Sequence, residues 1–176
     1  MDSRFYPETY TPFTFEPVRQ QIDIIQTGNK GEGLIAKIRF DKGRIVFAFT
    51  GELVAYQNLF TLQIEPGKYL HDPYVMGKVL HSCEPNMHCD MRAFTFTAVR
   101  DIEPGEYLTM DYETTEERLF RPFQCCCGSL NCRGIIRGYA HRRSASSAVV
   151  TELNANLSTP AIASDGLDTR VDGLGV

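Results

Sequence analysis

The sequence predicts a mostly-β fold built from several small sheets, and three observations predict it. Its apolar stretches are short and rich in β-branched and aromatic residues, the composition that suits a pleated, half-buried surface. They are separated by glycine-containing turns, including two copies of Glu-Pro-Gly at 65–67 and 103–105; proline presets the first central dihedral and glycine permits a positive one next. A helical period is sustained only briefly, at 115–120, with a single turn suggested at 75–80.

Taken in order, residues 1–17 are rich in proline, threonine and aromatics without a helical period. Phe5, Tyr6, Tyr10, Phe13 and Phe15 suit either an extended arm with purely structural packing or a mobile tail. Strand-like runs follow at 22–25, 34–38 and 44–49, divided by glycine turns at 27–33 and 41–43. Residues 53–62 fit neither period clearly. A short strand at 68–71 follows the first Glu-Pro-Gly turn. Another is expected at 94–99, and a last one at 106–112 follows the second. After Arg143 the composition shifts to Ser, Ala, Thr, Asn and Gly without aromatics, so 144–176 reads as a disordered tail with too little apolar surface to offset its ordering entropy.

A chain of 176 residues with 43% hydrophobic and 23% charged residues is an ordinary globular composition for one domain. The net charge of −4 argues against broad nucleic-acid binding and is compatible with a cationic protein partner. Six cysteines, with Cys125, Cys126, Cys127 and Cys132 so close together, do not form a secreted disulfide framework and suit metal binding in a reducing compartment. No secretory signal and no membrane-length apolar run is visible, which gives the expectation of a soluble intracellular protein in cytoplasm or nucleus, making no membrane contact. The basic run at 141–143 is too short to indicate nuclear entry.

Cys125, Cys127 and Cys132 present three thiols in Cys-x-Cys-x4-Cys spacing. A closed structural zinc site needs four ligands, and Cys83 is the natural fourth. Four soft thiolates match zinc; free thiols are the alternative. Cys126 is surplus and Cys89 belongs elsewhere. Gly31-Glu32-Gly33 lies between two strand-like runs and is, on the residues alone, either a hairpin turn or a place where backbone approaches a ligand. Tyr112, after Asp111 at a strand end, reads by itself as a core tyrosine.

Lys30-Gly31-Glu32-Gly33, then Leu80-His81-Ser82-Cys83-Glu84-Pro85-Asn86, then 105–112 ending in Asp111-Tyr112, then the cysteine segment, stand in an order that resembles the SET-domain protein methyltransferases with a post-SET zinc segment. The resemblance covers roughly residues 20–138. It implies an arm at 1–17, a SET domain at 18–121 with knot-like threading of 80–86 beneath the last strand, and a post-SET segment at 122–138. It further implies that Lys30, Gly31, Glu32 and Gly33 bind the methionine end of S-adenosylmethionine (SAM), and that the backbone of Leu80 and His81 recognises the adenine. Ile136 would pack against that adenine. Tyr112 would be the catalytic residue, its phenol near the methyl group and the attacking nitrogen. The implied reaction is direct methyl transfer to a lysine side-chain nitrogen of a protein, with a histone as one candidate and S-adenosylhomocysteine as product.

The sequence departs from the family pattern in four places. Leu80 replaces an asparagine, Thr50 stands where a tyrosine usually precedes Gly-Glu, 87–90 offers no channel aromatic, and Met110 precedes Asp-Tyr in place of phenylalanine or tyrosine. Tyr69, Tyr74 or Phe94 would have to rebuild the channel wall. Glu52, Glu65, Asp72 and Glu84 would form an acidic rim or simply solvate loops. Two further readings follow: methyl transfer to a non-histone peptide or small amine, or a catalytically weak module that binds partners.

Overall fold

In the computed structural model, which describes residues 3–28 and 30–142, the apolar run from Ile22 folds into a hairpin of β1 (Ile22–Gln26) and β2 (Glu32–Ala36). The pair is antiparallel from Ile22 opposite Ala36 to Gln26 opposite Glu32. Thr27 closes the turn, its N–H and its hydroxyl both donating to the Gly31 carbonyl at 2.9 and 2.7 Å. Gly31 sits at φ +74°, a conformation available to glycine at little cost.

The remaining strands are β3 (Ile45–Ala48), β4 (Glu52–Val54), β5 (Thr61–Glu65), β6 (Lys68–His71), β7 (Leu80–His81), β8 (Met87–Asp90), β9 (Thr95–Ala98), β10 (Thr109–Met110), β11 (Phe123–Gln124) and β12 (Ile135–Ile136). They form sheets ordered β3-β9-β8 and β4-β6-β5, with two-stranded pairs β10-β7 and β11-β12. The β8 strand buries Met87 and Cys89 and leaves His88 and Asp90 outward, the period of two that one covered face requires. Behind this sheet Phe47, Phe49 and Phe96 stack with centroids 4.9 and 5.1 Å apart and anchor the core.

The expected meeting of 80–86 with the last strand is present as a parallel pair, Leu80 beside Thr109 and His81 beside Met110. Asn86 fixes it. Its side-chain amide donates to the Tyr107 carbonyl at 2.8 Å and accepts from the Thr109 N–H at 2.8 Å, so its role is to clamp two segments, beyond bracing a local turn. The expected strand over 106–112 is shorter as a regular element because its backbone alternates between two neighbours. Leu108 N–H donates to Leu34 on one side, and Leu80 and Ser82 N–H groups donate to Leu108 and Met110 on the other.

The helix expected at 115–120 is absent. A 3-10 turn stands just before it at Tyr112–Thr114, capped by the Asp111 side chain accepting from Glu113 N–H. Glu116 and Leu119 are drawn to other partners, Glu116 to β5 and Leu119 N–H to the Arg137 carbonyl, and these outweigh a weak local helical preference. The turn suggested near 75–80 is a 3-10 turn at Met76–Lys78. The expected tail at 144–176 lies outside the described residues.

The N-terminal arm is docked. Arg4 bridges Val18, and the Tyr6 ring packs against Tyr10, Phe13 and Tyr74 at centroid distances of 5.4, 5.4 and 5.8 Å. Tyr6 hydroxyl donates to Asp72 Oδ2 at 2.6 Å, and Asp72, fully buried, also accepts from the N–H groups of Tyr74, Val75 and Met76. This carboxyl therefore organises the chain that leads into the Met76–Lys78 turn. Tyr6→Phe removes its only side-chain donor among the described residues, and the expected result is a loss of about 2 kcal/mol in chemical denaturation, with the arm detaching first in hydrogen exchange; a loss below about 0.5 kcal/mol would mean the arm is held by its rings alone.

Candidate active site

The turn between β1 and β2, the Met76–Lys78 turn with β7, and the segment after β10 converge on a cleft of about 300 Å³. Lys30, Gly31, Glu32, Leu80 and Tyr112 all line it, as the sequence motifs lead one to expect. Gly33, His81 and Ile136 do not line this cleft. A Cβ at Gly33 would lie 2.8 Å from Leu80 Cδ1, so this glycine makes room for the Leu80 side chain. Ile136 is fully buried in the β11-β12 pair opposite Phe123, and it is Phe123 that faces the cleft. His81 opens instead on a wider adjoining cleft of about 730 Å³, which also takes in Ser82 and Cys127.

Tyr112 is anchored at both ends. Its hydroxyl donates to the Val79 carbonyl at 2.6 Å, and its backbone N–H donates to His81 Nδ1 at 3.3 Å. Burial, reinforced by the Glu116 carboxylate, raises its phenol well above the ordinary range, so it stands as a neutral hydroxyl at physiological pH. His81 is held neutral as well: burial pushes its pKa down to about 4, against the opposing pull of Asp111. Because Nδ1 accepts from Tyr112, the proton resides on Nε2, which lies 3.5 Å from Cys83 Sγ.

Cys83, Cys125, Cys127 and Cys132 bring their sulfurs within 4.8 Å of one another, with Cys83 and Cys125 3.9 Å apart. Four sulfurs placed tetrahedrally at about 2.3 Å from zinc are separated by about 3.8 Å, so the set is of the right size as well as the right chemistry. Cys126 is exposed and Cys89 is buried in β8, both outside the cluster.

Arg133, which the motif reading missed, ties this cluster to the cleft. Its backbone N–H donates to Cys83 Sγ at 3.3 Å, and its guanidinium forks onto Asp111, with Nη1 at 2.9 Å from Oδ2 and Nη2 at 2.5 Å from Oδ1. Its Nε faces Glu113 Oε2 at 3.0 Å as an ion-pair contact whose angle falls short of a hydrogen bond. Asp111 and Glu113 flank Tyr112, so the cysteine loop and the tyrosine are positioned by one side chain.

The cleft wall differs from the expected one. Tyr69, Tyr74 and Phe94 do not line it; Phe60, Phe120 and Phe123 do. Tyr74 is committed to the arm and Phe94 packs on Phe49. Thr50 does not line the cleft, and its N–H meets the Tyr6 hydroxyl at 3.3 Å. Asp72 is no rim residue, since it is buried beneath the arm. Glu32 is joined to Lys78 in an ion pair, and Lys78 also lies over the Phe60 ring.

Glu116 was not singled out by the sequence. It is 3% exposed, lines the cleft with Tyr112, and accepts from Gln63 N–H at 2.7 Å and Gln57 Nε2 at 2.8 Å. Burial raises its carboxyl to about 7, only partly offset by those two hydrogen bonds. It forms no ion pair among the described residues.

The SET domain family model matches residues 31–113. Methyltransferase flvH of Aspergillus flavus is 43% identical over 60 residues, 33% of this chain and 34% of that protein. Histone-lysine N-methyltransferase ash1 of Drosophila melanogaster is 30% identical over 150 residues, 69% of this chain but 6% of that protein, so the chain spans about a third of the first relative's length and far less of the second's. Among solved structures, KRYPTONITE in complex with mCHG DNA and SAH superposes with a TM-score of 0.56 at 24% identity, over 68% of this chain and 30% of that one. A structural likeness at this identity shows a shared fold.

Proposed function

We propose that this chain, which is a SET-domain protein, is a SAM-dependent methyltransferase that modifies a lysine side-chain nitrogen of a protein substrate, with a histone among the candidates. The observation that carries this reading is Tyr112: a neutral phenol fixed by Val79 on the wall of a cleft also lined by Lys30, Gly31 and Glu32. In this reading residues 18–121 act as the SET domain, 122–138 as a post-SET zinc segment and 1–17 as a structural arm.

The cleft suits a ligand that is part aromatic and part polar. Phe120 and Phe123 offer ring faces, the turn around Gly31 offers backbone, and Lys30, Glu32 and Arg121 offer charge. SAM, when bound, supplies a methyl group on a positively charged sulfur. The protein's part is alignment. Holding the acceptor nitrogen in line with the methyl group makes the step effectively intramolecular, and the Tyr112 hydroxyl oxygen and the Val79 carbonyl provide preorganised dipoles where the polarised methyl passes. Zinc at Cys83, Cys125, Cys127 and Cys132 would be structural, closing the segment that carries Phe123 and Arg133.

A second reading keeps the chemistry and changes the acceptor to a non-histone peptide or small amine. The cleft's lack of tyrosines other than Tyr112 favours it, with Met76 and Met110 among its walls. No helix among the described residues is long and apolar enough to cross a membrane; an intracellular place of action belongs to this reading through the likeness to histone-lysine N-methyltransferase ash1. The deciding experiment is mass spectrometry of zinc-loaded protein with isotopically labelled SAM and a pool of core histones, total cellular protein and small amines. Label on a protein lysine is the expected result. Label on small amines alone would establish the second reading, and no label despite SAM binding would overturn both in favour of a non-catalytic binding module.

A further inference from the structure

We propose that Glu116 is the acceptor subsite of this cleft: its carboxylate receives the ammonium group of a primary alkylamine and takes its proton before methyl transfer. This deepens the methyltransferase reading and rests on it.

Glu116 lacks a charged partner among the described residues. A carboxylate this deeply buried is ordinarily paired with a cation or fully hydrogen-bonded, yet its partners are one backbone N–H and one neutral amide. Those two bonds occupy one lone-pair site on each oxygen, and a carboxylate can accept about four. The groups packed around it bring no positive charge. The turn before it contributes the Tyr112 phenol, β8 the Cys89 thiol, β5 the Gln63 N–H, and the preceding loop the Gln57 amide. Of the other cations on the cleft, Lys78 is paired with Glu32, while Lys30 and Arg121 form no ion pair with Glu116. The position is therefore complementary to a cation that arrives with a ligand.

The lining specifies the shape of that cation. Leu62, Met76, Val79 and Met110 give the cleft apolar walls, which accept an unbranched alkyl stem and leave its charged head to Glu116. A lysine side chain and a free alkylamine share this chemistry.

The chemistry also needs such a group. A primary alkylamine with a pKa near 10.4 is neutral in only about one molecule in 10³ at pH 7.4, and the ammonium has no lone pair with which to attack. In the cleft, desolvation lowers the amine's pKa and raises that of the acid, so transfer from nitrogen to Glu116 leaves two neutral groups and approaches balance. The free amine then forms the N–CH3 bond as the S–CH3 bond of SAM breaks. The S–C electron pair stays on sulfur, giving neutral S-adenosylhomocysteine and a secondary ammonium. Glu116 returns its proton to solvent as product leaves. A carboxyl titrating near 7 is suited to this cycle.

The test uses zinc-loaded full-length protein with Glu116→Gln, which keeps the side-chain shape and the bond from Gln63, and Glu116→Asp, which keeps the charge. Calorimetry with n-butylammonium on protein saturated with S-adenosylhomocysteine is expected to show at least about tenfold weaker binding to Glu116→Gln, with 1-pentanol binding both proteins equally. Equal butylammonium affinity would overturn the proposal whether or not the protein methylates anything. With an acceptor peptide or amine, kcat/KM of the wild type should rise through pH 7 and level off. Glu116→Gln should lose about 10²-fold or more at pH 7.5, recover toward wild type by pH 9.5 as the amine deprotonates unaided, and lack the limb near 7; Glu116→Asp should keep that limb. A loss equal at every pH would assign Glu116 a purely structural role. If the wild type methylates nothing, the methyltransferase reading fails, and the calorimetry alone decides the subsite. Labelled lysine peptide against labelled free amine distinguishes the two sources of the ligand.

Discussion

Stripping the metal from the four-cysteine cluster is expected to abolish activity and to release the whole segment from Phe123 to Arg137. Four thiols within 4.8 Å of one another are stable as a set of thiolates only with a cation among them, since their mutual repulsion is otherwise uncompensated. Structural zinc in small sites is worth about 10–16 kcal/mol, comparable to the stability of an entire domain. The effect would not stay local. Arg133 leaves with the loop, so Asp111 and Glu113 lose the nearer of two shared cations and keep only Arg142, 3.9 Å from each, and Asp111 is the cap of the turn that begins at Tyr112. Breaking a buried pair by removing one partner costs about 3–5 kcal/mol. Phe123 leaves too, and it packs edge-on against both Tyr112 and His81. Cys127→Ser should accordingly lower zinc content well below one per chain by elemental analysis, remove amide protection over residues 123–137, and reduce methyl transfer to background. A full zinc complement in that variant would remove Cys127 from the ligand set. Activity that survives exhaustive chelation would detach the cluster from the cleft altogether.

The parts of this molecule that were legible in the sequence are those whose signals are local. Short β-branched runs and Pro-Gly turns located the sheets because strand and turn preferences act within a few residues. The cysteine spacing located the four-sulfur cluster because three of its four members lie within one loop. Arg133 and Glu116 were not legible for the opposite reason. Their importance lies in partners far away in sequence: Arg133 meets Asp111 and Cys83, and Glu116 meets Gln57 and Gln63. The expected helix at 115–120 failed on the same contacts. Gly33 and Ile136 illustrate a subtler gap. Both are where the motif reading placed them in the chain, but one accommodates the Leu80 side chain and the other lies beside Phe123 across the β11-β12 pair. A motif locates a segment; which of its side chains faces a ligand is settled by register and packing.

Tyr112→Phe is expected to lower turnover by about 10²-fold or more while leaving SAM affinity within about threefold, since preorganised polar groups at a reacting centre are typically worth 10²–10³ in rate. In the folded protein the hydroxyl donates to the Val79 carbonyl, so its proton is committed there and its oxygen lone pairs remain free to accept. A polarised methyl group in transit between sulfur and nitrogen carries partial positive charge, and an oxygen held there lowers the barrier without having to reorient. Because burial and the Glu116 carboxylate keep the phenol protonated, the hydroxyl acts as a dipole and not as a base. Loss of activity in Tyr112→Phe should therefore be the same across pH 6 to 9, whereas the Glu116→Gln defect is pH-dependent. The substitution also strands the Val79 carbonyl, at a cost of about 1–3 kcal/mol in stability, readable by denaturation. The two effects separate cleanly, because a merely structural tyrosine would show the stability loss with turnover preserved at temperatures where the variant is folded. Unchanged turnover in the folded variant would remove Tyr112 from the mechanism, and a defect that vanished at high pH would make it a proton carrier instead.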